Sequence, residues 1–157
     1  MSYLYYFYIT VSGLVMRVPI YEALAHYKRN EMLPYTEYFG LGFFTDISLA
    51  ESTIAESKKL VGFSDLNDNS FSITTHYLND CAHIGNEVSY EIINNKVYGV
   101  WYDYDIDDYY TCSGYIGLFS TLEYAEKALK WYKTWDIFKV YGLDCLGIDT
   151  ITLNLRG

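Results

Sequence analysis

The chain has 157 residues, enough for one compact core, and a composition that is 51% hydrophobic and 20% charged excludes a disordered chain. Its net charge of −9 is concentrated: residues 60–126 hold eleven acids against the single base Lys96, a net −10, while the rest carries nine acids and ten bases. Such a centre repels nucleic acid and anionic lipid, excluding both as direct partners, and favours a basic protein surface or a cation.

At the amino terminus residues 3–11 are rich in tyrosine, with no Lys or Arg before the apolar run, and so read as a strand rather than a leader peptide. No segment reaches the roughly 18 apolar residues of a membrane span, and a cytoplasmic protein is expected. Pro19 then stands where a first helical turn would take it, predicting a short helix over 20–28.

The next element opens an internal repeat. Gly42-Phe43-Phe44-Thr45-Asp46-Ile47-Ser48-Leu49-Ala50-Glu51 aligns without gaps on Gly117-Leu118-Phe119-Ser120-Thr121-Leu122-Glu123-Tyr124-Ala125-Glu126, an offset of 75, with Gly, Phe, Ala and Glu identical. In each copy an apolar strand runs into a hydroxyl residue, Thr45 or Ser120, that can cap a helix, and Ser120 with Glu123 has capping-box spacing. Helical periodicity follows at Ile47, Ala50, Ile54 and Val61, ending near Gly62, and at Leu122, Ala125, Leu129 and Tyr132, ending near Trp135.

Strands are predicted over 71–78, 97–104 and 148–155, and Asn94-Asn95 reads as a hairpin turn between 90–93 and 97–101. The fold class is therefore α+β: one domain spanning 1–157, with strand–helix–strand units at about 1–80 and 90–157, mainly antiparallel sheet, and helices packed on it.

The pattern Gly-x-Phe-[Ser/Thr]-x4-Ala-Glu, followed by Gly62-Phe63 and the strand starting Phe71-Ser72-Ile73, resembles short uncharacterised domains of bacterial and phage proteins. The resemblance covers about half of each unit and implies a fold but no functional residue. In size and acidity the chain also looks like toxin-immunity proteins and phage-encoded inhibitors of bacterial defence.

The candidate partner-binding segment comprises Tyr102, Asp103, Tyr104, Asp105, Asp107, Asp108, Tyr109 and Tyr110. Strand alternation would put Asp103, Asp105 and Asp107 on one face, with Tyr102 and Tyr104 on the other. Carboxylates can engage Lys and Arg through charge-assisted bonds while tyrosines supply rigid contact area. The alternative for the same segment is a solubilising strand end. Calcium is disfavoured: Asp108 occupies the sixth position, where the loop needs Gly, and Gly114 the twelfth, where it needs Glu.

Cys81, Cys112 and Cys145 are odd in number and outside metal spacing, so reduced thiols are expected, with no metal or cofactor. His26, His76 and His83 are the available acid–base groups. An enzyme would have to gather His76, Cys81 and His83, and without any nucleophile motif a non-enzymatic binding protein is the expectation. Nineteen tyrosines admit a second reading, an aromatic pocket between the halves for a nucleotide or other flat ligand, with Arg17, Lys28 and Arg29 as its basic cluster. Exposed strand edges would suit a homodimer.

Overall fold

A computed structural model of the chain describes residues 6–10, 13–28, 36–107 and 110–155. Strands β1 (Tyr6–Thr10) and β2 (Gly13–Arg17) pair as a separate hairpin. Strand β3 (Pro19–Tyr27) lies between β4 (Glu37–Phe44) and β5 (Phe71–Tyr77) in one antiparallel sheet, and β6 (Lys96–Asp107) lies between β7 (Tyr110–Phe119) and β8 (Leu146–Thr152) in the other. Helices α1 (Ile47–Ser57), α2 (Leu122–Tyr132) and α3 (Asp136–Tyr141) complete an α+β fold. No helix among the described residues is long and apolar enough to cross a membrane.

The repeat runs much further than its sequence signature. Helices α1 and α2 are offset by 75 residues at both ends; so are β5 and β8, and so are the 3-10 turns Asp68–Ser70 and Leu143–Cys145. The central strands are offset by 77: Pro19 faces Tyr77 as Lys96 faces Thr152, and Ala23 faces Gly42 as Val100 faces Gly117. Even the bulge recurs, each sheet slipping register just after Ala23 or Val100. The difference of two residues falls in the hairpin loops, β3–β4 being the longer.

Several sequence expectations change. Segment 20–28 is not a helix but lies within and just beyond β3, the centre of the first sheet. Its Ile20, Ala23, Leu24 and Tyr27 mimic helical spacing because both faces of the strand are covered. Ala23 and Ala25 pack with Phe44 and with Ala50 of α1, while Ile20 faces the second sheet. Tertiary burial on two sides thus overrides local propensity. The strand expected over 3–11 appears as β1, with residues 3–5 and 11 outside the described range, and its partner is β2 rather than the first sheet.

Both caps move one residue along. Asp46 caps α1 by accepting the Ser48 N–H at 2.8 Å, and Thr121 caps α2 by accepting the Tyr124 N–H at 3.2 Å. Glu123 instead pairs with Lys127 at 2.7 Å, which holds its carboxyl below the usual carboxylate range. Asn94 and Asn95 do adopt left-handed backbone, at φ 54° and 55°, but residues 90–93 form no strand, so the turn leads into β6 from irregular chain. Helix α1 stops at Ser57, leaving Val61 fully exposed beyond it, and Ile47 and Leu122, at the helix starts, are exposed too.

Thr45 and Ser120, displaced as caps, serve a pair of reciprocal latches. Asn79, left-handed at φ 58° just past β5, accepts the Ser120 N–H of the second unit at 2.9 Å and sends its own backbone N–H to Leu118 O at 2.8 Å. Asn154, at φ 61° past β8, accepts the Thr45 N–H of the first unit at 3.1 Å and sends its N–H to Phe43 O at 2.7 Å. Each unit thereby closes the strand–helix junction of the other. Ile20, Leu78, Val97, Leu118, Ile151 and Leu153 fill the space between the sheets.

Candidate functional site

The acidic segment lies where β6 outgrows its sheet. Strand β8 accompanies β6 only as far as Tyr102, opposite Leu146. From Asp103 to Asp107 the ladder continues on the β7 side alone, making a two-stranded arm. Asp103 faces Ser113, and Asp105 faces Thr111, whose hydroxyl donates to it at 2.6 Å. Both aspartates are exposed, and among the described residues neither is ion-paired. Asp107 pairs with Tyr110 at the end of the arm, while Asp108 and Tyr109 lie outside the described residues.

Tyr102 and Tyr104 take the opposite face, as alternation requires, and are partly buried rather than displayed beside the carboxylates. Tyr102 lies 6.2 Å from the Phe138 ring, and Tyr141 stacks on Tyr104 at 4.3 Å. A hydrogen bond with Cys112, followed by burial, pushes the Tyr104 hydroxyl up to about 12. These tyrosines tie the base of the arm to α3, leaving the aspartates as its exposed chemistry.

The equivalent positions of the first unit carry different groups. At the 77-residue offset, His26 and Lys28 stand where the second unit has Asp103 and Asp105. His26 is engaged through Nε2 with Asn69 O at 2.8 Å. The fold therefore does not require a carboxylate at these sites.

A second polar group lies on the face turned towards the second sheet. His76 Nε2 and a Glu22 carboxylate oxygen are 2.8 Å apart, each side chain only 15% and 13% exposed, with Phe43 beside the imidazole. Phe43 meets Tyr115 edge to face at 5.4 Å, and the Tyr115 hydroxyl reaches Asp149 at 3.4 Å. Burial first, then the Asp149 charge, pushes Tyr115 up to about 12. In the second unit Gly99 and Ile151 replace Glu22 and His76, and the Tyr115 ring covers Gly99 so closely that a Cβ there would come within 2.5 Å of it.

His76, Cys81 and His83 each have a partner of their own. His76 pairs with Glu22, Cys81 hydrogen-bonds Tyr132, and His83 stacks on Trp131 at 4.2 Å. Burial, then the neighbouring Cys81, raises the Tyr132 hydroxyl well above its ordinary value. Among the described residues no three His, Cys, Asp or Glu side chains gather as a metal site.

An open apolar groove of about 410 Å³ lies at the far end of the first sheet, lined by Tyr27, Phe39, Gly62, Phe63 and Leu66. Neither this groove nor the Asn79 and Asn154 latches were apparent from the sequence motifs. The latches do have a sequence signal, since Leu78-Asn79 and Leu153-Asn154 continue the 75-residue offset. Comparison with protein-family models, curated proteins and solved structures gives no match to the chain.

Proposed function

We propose that the protein is a non-enzymatic, stoichiometric binding protein of the toxin-immunity or phage anti-defence type, and that its acidic arm docks on a basic surface of a protein partner such as a toxin, nuclease or defence effector. The observation that carries this reading is the pair of carboxylates on the arm. Asp103 and Asp105 are exposed, unpaired with any cation among the described residues, and replaced by His26 and Lys28 in the twin unit. Folding does not demand acids there, so an outside cation is the natural complement. The backbone of β6 past Tyr102 adds an edge without a β8 partner, on which a strand of the partner can align.

The test compares immobilised wild-type protein with a variant in which Asp103, Asp105, Asp107 and Asp108 are all changed to Asn. A basic protein retained by the wild type and released as salt rises should bind the variant at least tenfold more weakly when titrated in solution. Equal affinity of that partner for the two proteins removes the arm from the mechanism.

A further inference from the structure

The two ends of the molecule are built on the same plan, but among the described residues only one is filled by side chains of the chain itself. In the second unit the far end of the sheet is closed by Tyr102, Tyr104, Phe138 and Tyr141, and Phe138 is 4% exposed. The repeat offsets place Ala25, Tyr27, Phe63 and Leu66 at the same positions in the first unit.

One of these differences is compensated across the ladder. Tyr102 lies over Gly114, its partner on β7, whose added Cβ would come 3.0 Å from the Tyr102 hydroxyl. The first unit reverses the pair: Ala25 is the small residue and Phe39, facing it on β4, the large one. Phe39 then sits 6.1 Å from both Tyr27 and Phe63, much as Tyr102 sits 5.8 Å from Tyr104 and 6.2 Å from Phe138. The same contacts are made from the other strand.

Among the described residues the second difference is not compensated. Tyr141 stacks flat on Tyr104 at 4.3 Å and 22°. Its counterpart Leu66 has no ring to lay on Tyr27, and Ile137 of the short α3 is replaced by Gly62 in a turn. Among the described residues no ring stacks on Tyr27, and the open groove lined by Tyr27, Phe39, Gly62, Phe63 and Leu66 lies there. Its volume of about 410 Å³ is within the range of small-molecule sites.

We propose that this groove binds a small planar aromatic molecule, a phenol-sized ring that stacks on Tyr27 in the place that Tyr141 takes on Tyr104. The twin unit indicates the occupant's chemistry, because it shows what the same wall of aromatic residues packs against when the site is full. Offset stacking and edge contacts from Phe39 and Phe63 favour a flat π-system over a saturated ring of equal size. The site belongs to the first unit and does not depend on the acidic arm.

The test uses p-cresol, the side chain of tyrosine as a free molecule, with 4-methylcyclohexanol as its saturated counterpart, titrated into the isotopically labelled full chain and followed by amide chemical shifts. A ring of this size should saturate the site with about millimolar affinity. Ring-current shifts should centre on Gly62, Phe63 and Leu66, and the saturated alcohol should bind at least fivefold more weakly. Leu66→Tyr, which installs the twin's own ring, should abolish binding while the spectrum stays well dispersed. Tyr141→Leu should open a second site and raise the stoichiometry from one to two. Absence of saturable p-cresol binding overturns the proposal, as does equal binding of the alcohol, or a folded Leu66→Tyr variant that binds like the wild type.

Discussion

Changing Asn79 to Ala tests the reciprocal latches most directly. The Asn79 side chain accepts from the Ser120 N–H at 2.9 Å and donates to Ser120 Oγ and Ser89 O, both at 2.9 Å, in a setting where Asn79 and Ser120 are 5% and 4% exposed. Alanine leaves the Ser120 N–H buried without an acceptor, which costs about 2 kcal/mol. Alanine at a left-handed φ of 58° costs about 1 kcal/mol more, for a total near 3 kcal/mol. At Asn154 the backbone cost is the same, but the bonds to Thr45, 3.1 Å from N and 3.3 Å from Oγ1, are exposed and water can replace them. Asn154→Ala should therefore lose only about 1.5 kcal/mol. Urea denaturation followed by tryptophan fluorescence measures both, and glycine at each position separates the terms, relieving the backbone cost while still lacking the bonds. Asn79→Gly should remain about 2 kcal/mol below the wild type, with Asn154→Gly close to it. Equal losses for the two alanine variants, or a wild-type stability for Asn79→Gly, would refute the account of the buried latch.

Two further outcomes follow from the structure. Thr121→Ala should lower stability by about 1 kcal/mol through the lost cap on α2, measured by the same denaturation. Tyr115 keeps its proton to a higher pH in the folded state than in the unfolded state, so its contribution is full below pH 10 and is lost as pH rises towards 12. The stability of Tyr115→Phe should fall less steeply over that window, by less than about 1 kcal/mol per pH unit given the partial exposure of the hydroxyl; parallel alkaline titrations of the two proteins would contradict this.

The sequence carried the repeat, both long helices and the outer strands because those features are local: a Gly-x-Phe strand end, apolar spacing of 3.6, and β-branched runs. The acidic arm was legible for the same reason, since strand alternation alone separates Asp103 and Asp105 from Tyr102 and Tyr104. What escaped was set by partners distant in the chain. Segment 20–28 looks helical until α1 and the second sheet claim its two faces, and neither is visible from within it. Thr45 and Ser120 look like caps, yet their backbones are held by asparagines 109 and 41 residues away. The groove escaped because it depends on the exchange of Ala25 and Phe39 for Tyr102 and Gly114, which becomes visible only when the two registers are laid together.

Because each latch reaches into the other unit, a single unit of this kind would need a second copy to close its own strand–helix junction, and two identical copies would carry identical surfaces. A covalent link keeps the two units at high effective concentration whatever their divergence. It also releases them from the symmetry of a homodimer, in which every change appears twice. The chain has used that freedom at both ends and in the middle: lysine on one hairpin against aspartate on the other, an open groove against a filled one, and Glu22 with His76 against Gly99 with Ile151. One shared interface thus supports two faces that can diverge separately.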